Sequence, residues 1–264
     1  MNNIIDFHTH AFPDELAKRV IKMLEDEGGV KAHLDGKISS LLSSMDACGI
    51  EKSIICNIAT KPEQSDSILQ WCKKIRSERI VPFPSFHPYD PKFKERVDEI
   101  KQEGFKGIKF HPYYQDFIID DERLCPVYKK ICDENLILVM HTGFDFAFSR
   151  IKIADPEKII TVIEKFPSLK LITTHLGAWE QWDEVEQFLL GKNIYMEISF
   201  SLEFLDDAVR KIFLNHPQEY ILFGTDSPWT EQQKTLSLLK GLQLGEKKEA
   251  LILRENATKL LNSV

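Results

Sequence analysis

Short apolar or β-branched runs alternate along this chain with longer stretches whose apolar residues recur at three and four positions. The runs begin near Asn3, Lys52, Ile80, Phe105, Leu136, Leu169, Asn193 and Tyr220, and their length and composition predict strands. Between them, Gln64–Ser77, Lys92–Gln102, Cys125–Glu134, Pro156–Phe166, Trp179–Leu190 and Phe204–Leu214 carry helical stripes. Strand followed by helix, repeated eight times, predicts a parallel sheet, because parallel neighbours need a crossover connection. Closure into an α/β (β/α)8 TIM barrel is the simplest use of eight such units; a doubly wound open sheet is the alternative.

The gap between the first two strands is the longest. It predicts a helix over Asp14–Asp26, a polar loop around Gly28–Gly36 and a second helix over Ser39–Cys48, with Asp14 and Ser39 as N-caps. We read this segment as a helical loop inserted over the barrel mouth after strand one. Glu231–Lys240 and Lys247–Leu261 are expected to be closing helices.

Length agrees with this pattern. The 264 residues are close to the ~250 that one such barrel needs, so 1–264 is read as a single domain. Hydrophobic residues make up 43% and charged residues 28%, an ordinary soluble balance. A net charge of −7 argues against a nucleic-acid partner, which calls for a basic patch. The five cysteines are scattered and form no C-x-x-C pair, as expected of reduced thiols in a cytoplasmic protein. The N-terminus lacks the basic and apolar regions of a signal peptide, and no run suits a spanning helix, so no membrane is expected. A small-molecule substrate is the expected partner. Self-association stays open, since no exposed apolar stripe can be read from the sequence.

The histidines change the picture most. His8 and His10 end strand one, His87 strand three, His111 strand four, His141 strand five and His175 strand six, while Asp226 closes strand eight. Only His33 and His216 fall elsewhere. In a β/α barrel the C-terminal strand ends form one face, and that face carries the active site. Residues two apart on a strand share a side, so His8 and His10 can reach one ion while Thr9 points away. Two or three imidazoles with a carboxylate suit zinc first; manganese, iron, cobalt and nickel also accept such a donor set.

The order His8-Thr9-His10, Gly107-Ile108-Lys109-Phe110-His111-Pro112, His141-Thr142-Gly143, His175-Leu176-Gly177 and Gly224-Thr225-Asp226-Ser227-Pro228 resembles the amidohydrolase superfamily. The likeness is greatest to its amidohydrolase-2 branch of hydrolases and decarboxylases, and it runs down to Glu255-Asn256-Ala257. The resemblance implies one divalent metal held by His8, His10, His141 and Asp226. It makes Asp226 the proton acceptor for water as well, and sets His175 beside the metal to orient water or polarise substrate. Some members of the superfamily bridge two metals through a carboxylated lysine on strand four, which is where Lys109 stands. In this branch Lys109 and His111 are instead expected to meet an anionic substrate group, with His87 a third member of that set.

Phe12, Tyr113, Tyr114, Phe144, Phe146, Trp179 and Trp229 follow strand ends and can wall a pocket, where Arg150 could pair a substrate carboxylate. Glu197 is a polar strand residue with no assigned role. The favoured expectation is a hydrolase in which metal-activated water, with Asp226 as general base, attacks a carbonyl-type centre. Non-hydrolytic decarboxylation of a small cyclic or aromatic acid is the alternative. A catalytically silent binding barrel is a third reading, and the intact ligand set argues against it.

Overall fold

The computed structural model describes residues 3–264. Among them eight strands run parallel: β1 (Ile4–Thr9), β2 (Ile50–Cys56), β3 (Ile80–Phe83), β4 (Gly107–Phe110), β5 (Ile137–Met140), β6 (Lys170–Thr173), β7 (Tyr195–Glu197) and β8 (Ile221–Leu222). The helices between and after them are α1 (Asp14–Gly28), α2 (Ile38–Cys48), α3 (Ser65–Ile75), α4 (Phe93–Gln102), α5 (Cys125–Asp133) and α6 (Pro156–Lys165). They continue with α7 (Trp182–Phe188), α8 (Asp207–Asn215), α9 (Gln232–Gly241), α10 (Glu246–Ala250) and α11 (Asn256–Asn262).

Regular pairing forms two ladders, β1-β2-β3 and β4 through β8. Individual backbone bonds close the two seams into a barrel. Lys109 N–H donates to Pro84 O (3.0 Å) at one seam; Phe7 N–H to Phe223 O (2.8 Å) and Asp226 N–H to His8 O (2.7 Å) close the other. Each strand sorts its residues by alternation. Ile5, Phe7, Ile54, Phe83, Ile137, Val139, Ile172 and Leu222 fill the barrel interior, and Ala257, Leu260 and Leu261 of α11 pack against that cluster. Ile108, Phe110, Leu138, Met140, Leu171 and Met196 belong instead to the larger core that includes the helices.

Strand β1 breaks this alternation, with consequences for the site. Asp6 pairs with Ser53 but Thr9 with Ile55, so one extra residue sits on β1. The shift lets Phe7 pack in the barrel interior while His8, the next residue, reaches the inward-facing Glu197. Asp6, by contrast, is buried against Thr225 and Gln232, accepting from Thr225 N (3.0 Å), Thr225 Oγ1 (2.7 Å) and Gln232 Nε2 (2.8 Å). Those bonds tie β1 to the chain after β8.

The segment between β1 and β2 holds the two expected helices, but their caps differ. Asp14 is the first helical residue and Pro13 occupies the cap position; Ser39 lies inside α2, which Lys37 precedes. Neither cap makes a side-chain bond, because Pro13 has no polar side chain and Lys37 has no acceptor. The expected helix Lys247–Leu261 is interrupted by a wide π turn over Leu251–Glu255. There the Ile252 carbonyl accepts from Phe223 N (3.0 Å), serving the chain just past β8. Asn256 then donates to the carbonyls of Gln218 (2.7 Å) and Ile221 (2.8 Å), anchoring α11 below β8.

Candidate active site

At the C-terminal end of the barrel His8 Nε2 and His10 Nε2 lie 3.1 Å apart, and Asp226 Oδ1 stands 3.4 and 3.0 Å from them. The remaining ring nitrogens show where the protons are. His8 Nδ1 donates to Glu197 Oε1 (3.0 Å) and His10 Nδ1 to the Cys56 carbonyl (2.8 Å). A neutral imidazole has one proton, so both Nε2 atoms present lone pairs. Asp226 Oδ1 is buried and accepts no hydrogen bond among the described residues. Three electron-pair donors thus crowd together at one point.

This arrangement fits a divalent cation. Bonds of 2.0–2.1 Å at tetrahedral angles place ligand atoms about 3.3 Å apart, close to the separations seen. The planes of His8 and His10 meet at 63°, so their in-plane lone pairs can converge. Lys109, fully buried, brings Nζ to 3.4 Å from His8 Nε2. Burial, followed by the Lys109 ammonium, holds the His8 imidazole well below its ordinary range.

His141 and His175 form a second convergent pair. His141 Nε2 donates to Phe144 O (3.0 Å) and His175 Nδ1 to Ser199 Oγ (2.9 Å). Their free nitrogens, His141 Nδ1 and His175 Nε2, face each other at 3.3 Å with no proton between them. The rings meet at 66°, and His175 lies 5.6 Å from His8, centroid to centroid. His175 (φ 56°) and Asp226 (φ 62°) both have left-handed backbone, a conformation that costs non-glycine residues about 1–3 kcal/mol and gathers at functional sites.

His141 also touches a third group. His111 stacks on it with centroids 4.1 Å apart and planes 11° from parallel. Asp145 Oδ2 lies 3.4 Å from His111 Nε2 and 3.7 Å from His141 Nε2. Two imidazoles and a carboxylate suggest a second ion, but ring geometry opposes it. In-plane lone pairs of stacked rings run parallel, and the His141 Nε2 proton is engaged by Phe144 O.

Glu197 holds the site from behind. Completely buried, it accepts at Oε1 from His8 Nδ1, from His175 N (2.9 Å) and from Ser199 Oγ (2.8 Å), and at Oε2 from Ser199 N (2.8 Å). Gly224 makes room for it, since a Cβ there would stand 2.2 Å from Glu197 Oε2. Gly143 serves the next loop: at φ 85° it lies so close to Trp179 that a Cβ would be 2.0 Å from its backbone nitrogen.

The structure therefore gathers His8, His10 and Asp226 into one group, with His175, His141 and Lys109 adjoining and His111 beyond them. His87 is half-buried and turned to its own loop, accepting from Tyr89 N (3.2 Å). Arg150 is exposed, pairs with Glu180 and lies over Phe144. Trp229 is half-buried in the loop after β8, where its backbone N–H donates to Asp226 O (2.9 Å). Sequence reasoning missed Asp145 and Ser199. Ser199 could have been found from its two-residue spacing to Glu197, whereas Asp145 sits in an irregular loop with no periodic signal.

A family model described as amidohydrolase matches residues 5–262. No curated protein sequence matches. Solved structures share the fold over nearly their whole length. An uncharacterised TIM-barrel protein from Bordetella bronchiseptica has 20% identity and a TM-score of 0.78, covering 98% of each chain. The 5-carboxyvanillate decarboxylase from Novosphingobium aromaticivorans, complexed with manganese and 4-hydroxy-3-methoxy-5-nitrobenzoic acid, has 16% identity and a TM-score of 0.71, covering 98% of this chain and 96% of that one. A probable 2-pyrone-4,6-dicarboxylic acid hydrolase from Acinetobacter baumannii, with citric acid bound, has 14% identity and a TM-score of 0.67, covering 99% of this chain and 100% of that one.

Two predictions follow from this geometry. Glu197→Gln should weaken divalent-metal affinity by about 10–100-fold, because the His8 proton loses its carboxylate partner. Competition against a chelator measures this, and unchanged affinity would contradict it. The second concerns pH. His8, His111 and His141 are all held well below the usual histidine value, chiefly by burial. The unfolded chain protonates them near pH 6.5 while the folded chain does not, so stability falls as pH drops below that value. Each contributes up to roughly 1.4 kcal/mol per pH unit. Asp6, which burial pushes up to about 7, works in the opposite direction over the same range. Three groups outweigh one. Thermal unfolding of metal-stripped protein should therefore move to lower temperature from pH 7 to 5, and a flat profile would contradict the assignment.

Proposed function

This chain belongs to the amidohydrolase family, and within it we propose a metal-dependent hydrolase acting on a small, carboxylate-bearing substrate. The observation that carries the reading is Asp226 Oδ1, buried without a hydrogen bond between two lone-pair-bearing imidazole nitrogens. His8, His10 and Asp226 would hold the ion, with His141 adjoining. When bound, a divalent ion supplies Lewis acidity to a carbonyl and lowers the pKa of water.

The chain's own residues do the rest. Asp226, kept ionised, takes the proton of the attacking water at a carboxylate oxygen and later passes it to the leaving group. His175 stands over the same space with its free Nε2, oriented through Ser199 and Glu197, and orients the attacking water by accepting a hydrogen bond from it. Lys109 supplies a buried cation beside His8, the partner for a substrate carboxylate. Phe146 against Trp179 (5.0 Å), and Phe148 against Tyr114 (4.9 Å), give the mouth aromatic walls. The nitrogen-rich donor set favours zinc. The unpaired cysteines suit a reducing, cytoplasmic compartment.

Those walls also favour a second reading, decarboxylation of a planar acid. The 5-carboxyvanillate decarboxylase likeness supports it. In that reading Asp226 or His175 first takes up a proton from solvent and passes it to the ring carbon, where it replaces the carboxylate that leaves as carbon dioxide. The products separate the two: carbon dioxide in one case, a new acid with an alcohol or amine in the other.

We expect hydrolysis products from a panel of lactones, esters and amides of small cyclic acids. Asp226→Asn should lower kcat by at least about 10²-fold with the fold intact. Carbon dioxide release without hydrolysis would replace the first reading by the second, and an unaffected kcat would remove Asp226 from either.

A further inference from the structure

The group formed by His111 and Asp145 has a use that the reaction does not absorb. His111 Nδ1 accepts from Tyr114 N–H (3.5 Å), so the ring proton is on Nε2. That N–H lies 3.4 Å from Asp145 Oδ2, longer than the ~2.7–2.9 Å of a charge-assisted hydrogen bond. The other carboxylate oxygen, Oδ1, is already occupied by Ala147 N–H (2.9 Å). Stacking of His111 on His141, with the contact that Nδ1 accepts from Tyr114 N–H, favours this orientation of the imidazole. A donor and an acceptor therefore stand side by side, each incompletely satisfied. The Asp145 side chain keeps 12% exposure and His111 7%, similar to His10 at 12% and Asp226 at 11%.

We propose that His111 and Asp145 form a specificity subsite that accepts a substrate group able both to donate and to accept a hydrogen bond, a hydroxyl or an amine, and that turns away a second carboxylate. A hydroxyl satisfies both partners at once, accepting from His111 Nε2–H and donating to Asp145 Oδ2. A carboxylate satisfies His111 alone and meets the like charge of Asp145 at close range, where repulsion is poorly screened. This reverses part of the sequence expectation, in which His111 meets an anionic group. Asp145 makes its end of the mouth acidic and leaves Lys109, whose Nζ lies 3.4 Å from His8 Nε2, as the anion partner. The inference rests on the proposed reading that the metal end of the pocket takes a carboxylate-bearing ring.

The test is titration calorimetry on full-length, metal-reconstituted protein, with benzoate, meta- and para-hydroxybenzoate, isophthalate and terephthalate as probes. Wild type should bind one hydroxybenzoate at least about tenfold more tightly than either dicarboxylate. Asp145→Asn keeps the size and the Ala147 bond but removes the charge, so it should tighten a dicarboxylate by about tenfold. Equal affinities in wild type, or a ranking that Asp145→Asn leaves unchanged while benzoate still binds, would overturn the subsite alone. Failure of every probe to bind metal-loaded protein would overturn both the subsite and the functional reading beneath it. The wild-type ranking stands as a test even if the variant fails to fold.

Discussion

The Glu197 carboxylate is the interaction on which the site depends. It lies in the barrel interior with no exposure and accepts hydrogen bonds from His8, His175 and Ser199. A carboxylate carried this far from water is tolerable only when its lone pairs are filled, and a hydrogen bond to a charged group is typically worth about 1.5–3 kcal/mol. Its partners come from strands far apart in sequence. β1 provides His8 through its extra residue, the chain after β6 provides the His175 amide, and Gly224 beyond β8 provides the space. Each contact also decides chemistry, because a proton held on His8 Nδ1 leaves a lone pair on Nε2.

Ring orientation then separates what can bind an ion from what can bind a substrate. His8 and His10 meet at 63° and His141 and His175 at 66°, so their free nitrogens converge. His111 and His141 are nearly parallel, so theirs do not. Similar residue types within a few ångströms therefore differ in whether their free nitrogens converge, which distance alone would not separate.

Much of the scaffold was legible in the sequence. The strand starts fall within two residues of the expected positions, because hydrophobic alternation and helical stripes report burial directly. His8, His10 and Asp226 were legible as one cluster because parallel β/α topology brings strand ends together. The caps at Asp14 and Ser39 and the unbroken last helix were misplaced, since they depend on tertiary partners such as the Phe223 amide that takes the Ile252 carbonyl. Glu197 was visible but unassigned: its role needs Gly224, whose meaning appears only when β7 and β8 are adjacent. Asp145 was invisible because its loop conformation is set by contacts with Trp179 and Ala154 and has no period to read. Arg150 looked like a carboxylate partner, yet Glu180 already pairs with it.

The central claim is that one divalent ion belongs between His8, His10 and Asp226. Anomalous diffraction from crystals grown with zinc or manganese tests it most directly. The account predicts a single strong peak about 2.0–2.2 Å from His8 Nε2, His10 Nε2 and an Asp226 oxygen. An ordered site with no peak there, or a peak seated between His111 and Asp145 instead, would contradict it.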